Sequence, residues 1–240
     1  MGMPVTVQIV EDSAEEAVVD EVFEELRLMD RLFSPFIDDS EVSQINRGEL
    51  AIEDSDPLVR QALELSHLYE LETGGYFSVW LGGRLDPSGL VKGWAIDRGC
   101  AILDRRGYRN FFIDAGGDCQ TRGTNQSGLP WRVGIRHPVE RDKFARVVHS
   151  AGLAVATSGT YEKGDHILDP RTGLPADEFL SMTVVGPDIV AADVYATACF
   201  AMGSRGLDFI EARGGYEAFA ISRDLSGTWT SGFQALCAPV

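Results

Sequence analysis

The sequence predicts an α+β fold in one domain covering residues 1–240. Strand-type alternation comes in runs, and helical periodicities are interspersed without strict β–α alternation. No stretch has the composition of an interdomain linker, and no repeat period or low-complexity segment interrupts the chain. With 44% hydrophobic residues, 240 residues suffice for a substantial core.

In chain order, Val5, Val7 and Ile9 alternate with polar residues and predict a half-buried strand. From Glu15 to Phe33, apolar residues Val18, Val22, Leu26, Met29 and Phe33 recur at helical spacing. The opposite face (Glu15, Glu16, Asp20, Glu21, Glu24, Glu25) is acidic and reads as solvated. The segment from Ser34 to Asn46 reads as a loop and a short helical turn capped by Ser40. Asp56-Pro57 pairs an N-cap with proline at the first helical position, opening a helix that Gly74-Gly75 ends. A glycine-rich passage, Tyr76 to Gly89, precedes a second helix from about Val91 to Leu103. Phe111-Phe112-Ile113 is a strand running into Asp114-Ala115-Gly116-Gly117-Asp118. Further strands are expected at Trp131 to Ile135, Ala145 to His149, Leu153 to Ala156, Leu180 to Val185, Ala218 to Ile221 and Thr228 to Phe233. Ser158 to Pro175 reads as irregular, and Leu207 to Ala212 as helical.

The formal net charge of −16 sets the function classes. A nucleic-acid backbone and an anionic membrane surface would both be repelled. A phosphate-bearing substrate would be repelled too, unless a divalent cation and local donors overcome the field. The four cysteines, Cys100, Cys119, Cys199 and Cys237, form no C-x-x-C pair or zinc spacing and read as core residues or reduced thiols. No basic n-region precedes an apolar run, no lipobox-like cysteine stands near the start, and no run is long enough to cross a bilayer. A cytoplasmic location without membrane insertion is the expectation.

Four stretches carry candidate chemistry. Ala191–Met202 is alanine-rich, with Asp188 as N-cap and Gly203 as stop. Asp193 and Thr197 lie four residues apart, hence on one face. A carboxylate with a hydroxyl suits a hard cation such as Mg²⁺; the same pair also suits a helix end with a Thr bonded to its own backbone. In Asp86–Asp97, a glycine-containing turn leads to a helix whose first turn carries Lys92. Such a start attracts phosphate, although glycine–helix junctions are common. In Asp114–Asp118, Gly116 and Gly117 permit close approach of backbone to a ligand, or simply a tight turn. The densest polar patch joins A-T-S-G-T-Y (156–161) and H-I-L-D-P-R-T-G-L-P (166–175). There His166 stands three residues before Asp169, a pair that could hold a general base near neutral pH. No G-x-S-x-G elbow surrounds Ser158, which disfavours a serine hydrolase.

Taken in order, these segments resemble the FAD:protein FMN transferase family, also called the ApbE or flavin transferase family. The matching stretches are M-G-M-P-V-T-V (1–7), F-S-P-F-I-D-D-S-E-V-S-Q-I-N (33–46), D-P-S-G-L-V-K-G-W-A-I-D (86–97), D-A-G-G-D (114–118), A-T-S-G-T-Y, H-I-L-D-P-R-T-G-L-P and A-A-D-V-Y-A-T-A (191–198). The resemblance implies a T-fold-related, two-lobed α+β domain with mixed or antiparallel sheets flanked by helices, binding FAD and Mg²⁺ between its lobes. It implies cleavage of the FAD pyrophosphate, release of AMP, and a phosphoester between FMN and a Thr or Ser of a target flavoprotein. Some members hydrolyse FAD to FMN and AMP instead; a catalytically silent FAD-binding protein is the third reading. By position, Asp193, Thr197 and the carbonyl of Gly89 would hold the metal. Met1, Phe36, Tyr76, Phe77, Ser78, Asp86, Lys92, Gly116, Gly117, Ser158, Gly159, His166 and Ile167 would contact FAD. His166, paired with Asp169, would be the base for the target hydroxyl. Two departures from the family pattern stand out: Gly75 and Asp86 are close in sequence where members carry a longer region, and Gly75–Ser78 reads G-Y-F-S where members often have G-A-F-D.

Overall fold

The computed structural model describes residues 2–140, 142–160 and 167–237; Met1 and His166 lie outside them. The elements are β1 (Val5–Ile9), α1 (Glu16–Phe33), α2 (Glu41–Arg47), a 3-10 turn (Ile52–Asp54), α3 (Pro57–Glu72), β2 (Trp80–Leu81), β3 (Arg84–Leu85), α4 (Ser88–Arg105), β4 (Phe111–Ala115) and β5 (Asp118–Arg122). They continue with β6 (Trp131–Arg136), β7 (Phe144–Ser150), β8 (Ala154–Gly159), β9 (Leu168–Asp169), β10 (Leu174–Pro175), β11 (Phe179–Gly186), α5 (Ile189–Met202), α6 (Arg205–Glu211), β12 (Glu217–Ser222), β13 (Gly227–Trp229) and α7 (Phe233–Leu236).

The fold is α+β, as the sequence predicts. One seven-stranded sheet, in the order β1-β4-β5-β8-β11-β12-β13, is antiparallel throughout. Helices α1, α4 and α5 cover one face, burying Ile113, Ala156 and Val184 with Val22, Ile96 and Val194. The paired strands β6 and β7, with α7, cover the other face around Val155, Phe219, Ile221 and Phe233. No described helix is long and apolar enough to cross a membrane.

Local chemistry explains most boundaries. The Asp56 carboxylate accepts the Leu58 N–H at 2.8 Å, and the Ser40 hydroxyl accepts the Ser43 N–H at 3.1 Å. Asp188 accepts the Ala191 N–H at 2.8 Å, and Gly203 closes α5 with φ +65°. Between β4 and β5 the turn is Gly116-Gly117, both with positive φ, as a two-residue hairpin of this twist requires.

Four expectations are corrected. Helix α4 begins at Ser88, not near Val91, so Gly89 lies inside it and Lys92 falls in the second turn. The carboxylate of Asp86 serves the helix start by accepting from the Ser88 N–H at 3.1 Å and hydroxyl at 2.6 Å. The expected strand from Thr228 to Phe233 is shorter: β13 ends at Trp229, and Phe233 opens a helical turn whose ring stacks on Phe219 at 5.3 Å. Strand β5 follows the Gly-Gly turn, where its polar sequence D-C-Q-T-R gives no alternation signal. Finally, the stretch from Ser158 to Pro175, expected to be irregular, contains the end of β8 and the small β9–β10 ladder.

Gly93 decides how near α4 comes to α5. A Cβ there would stand 2.8 Å from the Ile189 carbonyl oxygen and 3.1 Å from the Val190 Cα, both backbone atoms. Gly93→Ala is therefore expected to destabilise the fold by about 1–3 kcal/mol. The check is a urea melt, where the midpoint should fall with the slope unchanged.

Candidate active site

Helix α5 is buried along residues 189–200 except at Thr197, so within that span the opening to the surface coincides with a hydroxyl. One turn earlier, Asp193 is 2% exposed. Its Oδ2 accepts the Gly93 N–H at 2.9 Å, and its Oδ1 lies 3.6 Å from the Lys92 Nζ. Lys92 is also 2.5 Å from the Oδ2 of Asp118, while the other oxygen of Asp118 accepts the Thr157 N–H at 2.9 Å. The two carboxylate side chains are 2–3% exposed and that of Lys92 23% exposed, so these charges sit largely out of water.

Electrostatics follows from that burial. Desolvation pushes the Asp193 carboxyl upward, opposed by the nearby Lys92 ammonium and the Gly93 N–H. For Lys92, burial acts to lower the pKa, but Asp118 and Asp193 outweigh it and hold the ammonium above its ordinary range. The lysine is a fixed cation shared by two acids.

Thr197 Oγ1 and Ser158 Oγ share a hydrogen bond at 3.0 Å, joining α5 to β8. A Cβ at Gly89 would lie 3.4 Å from Thr197 Oγ1 and 3.4 Å from the Phe77 ring. The structure thus brings Gly89, Thr197, Ser158 and Phe77 together, with Asp193 and Lys92 adjoining. In an α-helix the amide aimed at the Gly89 carbonyl is that of Gly93, and this amide also donates to Asp193.

Other candidates have separate tasks. Tyr76 is buried; its hydroxyl accepts from Arg205, and the Arg171 guanidinium lies 4.3 Å from its ring centroid. The hydroxyl of Ser78 accepts the Trp80 N–H at 3.1 Å, a local turn bond. Asp169 holds the β9–β10 turn: its carboxylate accepts the Arg171 N–H at 2.9 Å, and its carbonyl accepts the Gly173 N–H at 2.8 Å. Ile167 is buried, and Gly159 pairs with Ser181 across β8 and β11. Phe36 is 85% exposed in the loop before α2. His166 and Met1 lie outside the described residues, so the His166–Asp169 pair has no geometry to report.

Gly116, Gly117, Lys92 and Asp118 line a cavity of about 260 Å³ between the sheet and the β6–β7 ribbon, with Asp114, Trp131 and Thr157. Asp193, Thr197 and Gly89 do not line it, whereas Lys92 and Asp118 do.

Asp118 is the central residue that sequence reasoning left out of the candidate set. Its signal was present, an acid directly after two glycines at the start of a strand, but the glycines drew the reading toward a turn. Among the described residues no group of three or more His, Cys, Asp or Glu could hold a metal. A set made of one carboxylate, one hydroxyl and one carbonyl is not such a group. Cys100, Cys119 and Cys199 are buried free thiols, and burial pushes Cys100 up to about 12.

This geometry defines an α+β protein organised around one buried acid–lysine–acid cluster beside a hydroxyl pair. The sequence model of the ApbE family matches residues 1–83 and 82–220, and the chain belongs to the ApbE family. It is 30% identical over 159 residues to the FAD:protein FMN transferase of Salmonella typhimurium, covering 61% of this chain and 45% of that protein. To the protein of the same name from Vibrio cholerae it is 33% identical over 139 residues, covering 53% of this chain and 42% of that one. The chain thus spans about half the length of these curated relatives. Among solved structures it is similar to the flavin transferase ApbE from Vibrio cholerae, with TM-score 0.86 and 22% identity over 98% of this chain and 96% of that one. It is similar too to the ApbE protein of Thermotoga maritima, with TM-score 0.88 and 21% identity over 99% and 97%. At these identities the structural likeness establishes the fold.

Proposed function

We propose that the protein is a Mg²⁺-dependent FAD:protein FMN transferase, moving FMN from FAD to a Thr or Ser hydroxyl of an acceptor protein and releasing AMP. The observation that carries this reading is the placement of Asp193 and Thr197 one turn apart on α5, with Thr197 against Gly89 and Asp193 beside Lys92. Membership of the ApbE family and the names of its curated relatives support it.

The residues fit a hard cation. The donors are all oxygens: the Asp193 carboxylate, the Thr197 hydroxyl and the Gly89 carbonyl. Asp193 Oδ1 has only the longer 3.6 Å contact to Lys92, because that lysine lies closer to Asp118. Three protein ligands leave room for water and phosphate oxygens, the usual arrangement for Mg²⁺. When bound there, Mg²⁺ would neutralise charge building on the pyrophosphate.

The chain's own residues do the positioning on which phosphoryl transfer chiefly depends. Lys92 presents a permanent cation for the phosphates. Phe77 and Gly89 form a close wall beside Thr197, and Gly89 leaves space where a side chain would intrude. Tyr76, Phe77 and Ser78, with the exposed Phe36, would meet the flavin. Proton removal falls to His166 by the family resemblance: as the acceptor oxygen bonds to phosphorus and the bond to AMP breaks, the hydroxyl proton passes to the imidazole. The two-lobed description of the fold, with FAD between the lobes, belongs to the same proposal.

The test is incubation with FAD, Mg²⁺ and a flavin-accepting protein domain. Flavin fluorescence that stays with the denatured acceptor, with AMP released in equal amount, is the expected result. AMP and free FMN without labelling would replace transfer by hydrolysis, and bound FAD without turnover would refute both.

A further inference from the structure

Three distant segments meet at Tyr76. The end of the α3 loop supplies Gly75 and Tyr76, the β9–β10 turn supplies Arg171, and the start of α6 supplies Arg205. The Arg171 guanidinium lies 4.3 Å from the Tyr76 ring centroid and that of Arg205 5.3 Å away. Arg205 also donates to the Tyr76 hydroxyl, and a Cβ on Gly75 would touch the Arg171 side chain at 3.7 Å. The tyrosine is buried, whereas both arginines are exposed.

Neither arginine has a carboxylate partner among the described residues, in a chain with 37 acids and 21 basic residues. Arg213, Arg98 and Arg106 pair with Glu72, Glu25 and Glu21, whereas Arg171 and Arg205 share one tyrosine ring. Stacking on an aromatic ring leaves the edges of a guanidinium, and hence its N–H groups, free to point outward. Such a pair suits a carboxylate, which arginine takes in a two-pronged hydrogen bond. The place matters as much as the charge. Tyr76 is followed directly by Phe77, whose ring borders Gly89, which borders Thr197.

We propose that Arg171 and Arg205, held by Tyr76, form the docking element for an acidic segment of the protein that accepts the flavin. This rests on the transferase reading above. The net charge of −16 repels an acidic partner overall, and this patch attracts one locally.

The test uses binding without turnover. The probes are a twelve-residue peptide with one Thr flanked by two Asp on each side, and the same peptide with Asn for every Asp. FAD affinity is followed separately by flavin fluorescence. The wild type should bind the Asp peptide more tightly than the Asn peptide, with a preference that fades as salt rises. R171Q/R205Q should weaken the Asp peptide about tenfold and leave the Asn peptide and FAD unchanged. R171E/R205E should prefer a third peptide with Lys for Asp, an inversion that misfolding cannot produce. Equal binding of the first two peptides by the wild type, or unchanged binding by R171Q/R205Q, would overturn the docking element alone. Failure of the wild type to bind FAD would remove the transferase reading itself.

Discussion

Lys92→Met is expected to lower stability by about 3–5 kcal/mol, the usual cost of removing one partner from a buried ion pair. Methionine has nearly the length of the lysine stem, so the loss reports charge more than volume. Asp118 and Asp193 would then face one another with no cation between them, and both are almost wholly inaccessible to water. The Asp193 carboxyl, already pushed above its ordinary range by burial, would lose the opposing ammonium and rise further. The folded state would bind more protons than the unfolded one, so the variant should gain stability as pH falls and lose it as pH rises from about 3.9 through the raised value. Urea melts at several pH values give the measurement. A variant as stable as the wild type at pH 8 would show that the cluster is not held by its lysine.

The second large effect concerns activity. Asp193→Ala should cut Mg²⁺-dependent AMP release by about a hundredfold or more, the scale seen when one electrostatic element of a transfer site is removed. Metal titration followed by calorimetry gives an independent reading, because the same variant should lose most of the heat of Mg²⁺ binding. The Gly93 N–H would lose its carboxylate acceptor, so some loss of stability is expected and must be measured alongside. If the folded variant releases AMP at the wild-type rate, the cation is held elsewhere.

Much of this arrangement was legible in the sequence where local chemistry decides. Asp56-Pro57, Ser40, Asp188 and Gly203 mark helix ends by capping groups whose bonds the structure contains. Alanine-rich composition and caps placed Asp193 and Thr197 on one helix, and their spacing put them on one face. What escaped was decided by partners distant in the chain. Strand β5 buries Asp118, Gln120 and Thr121, polar residues without strand alternation whose partners, Lys92, the Gly152 carbonyl and Ser150, are distant in the chain. The first turn of α4 looked like loop because Gly89, a poor helix former, closes the glycine-rich passage before it. Gly89 and Gly93 are both there for proximity: a side chain at Gly89 would press on Thr197, and one at Gly93 would strike α5. Phe233 read as the end of a strand because an aromatic after Thr and Trp fits that pattern. Its ring instead caps the second core by stacking on Phe219.

The strand order also bears on biosynthesis. Val5 pairs with Ala115, so the first strand has no neighbour until roughly a hundred further residues have left the ribosome. At 5–20 residues per second that is a wait of about 5–20 s. For this interval an apolar strand and one side of an amphipathic helix stand without their sheet, which favours slow folding and reliance on chaperones in an overproducing host.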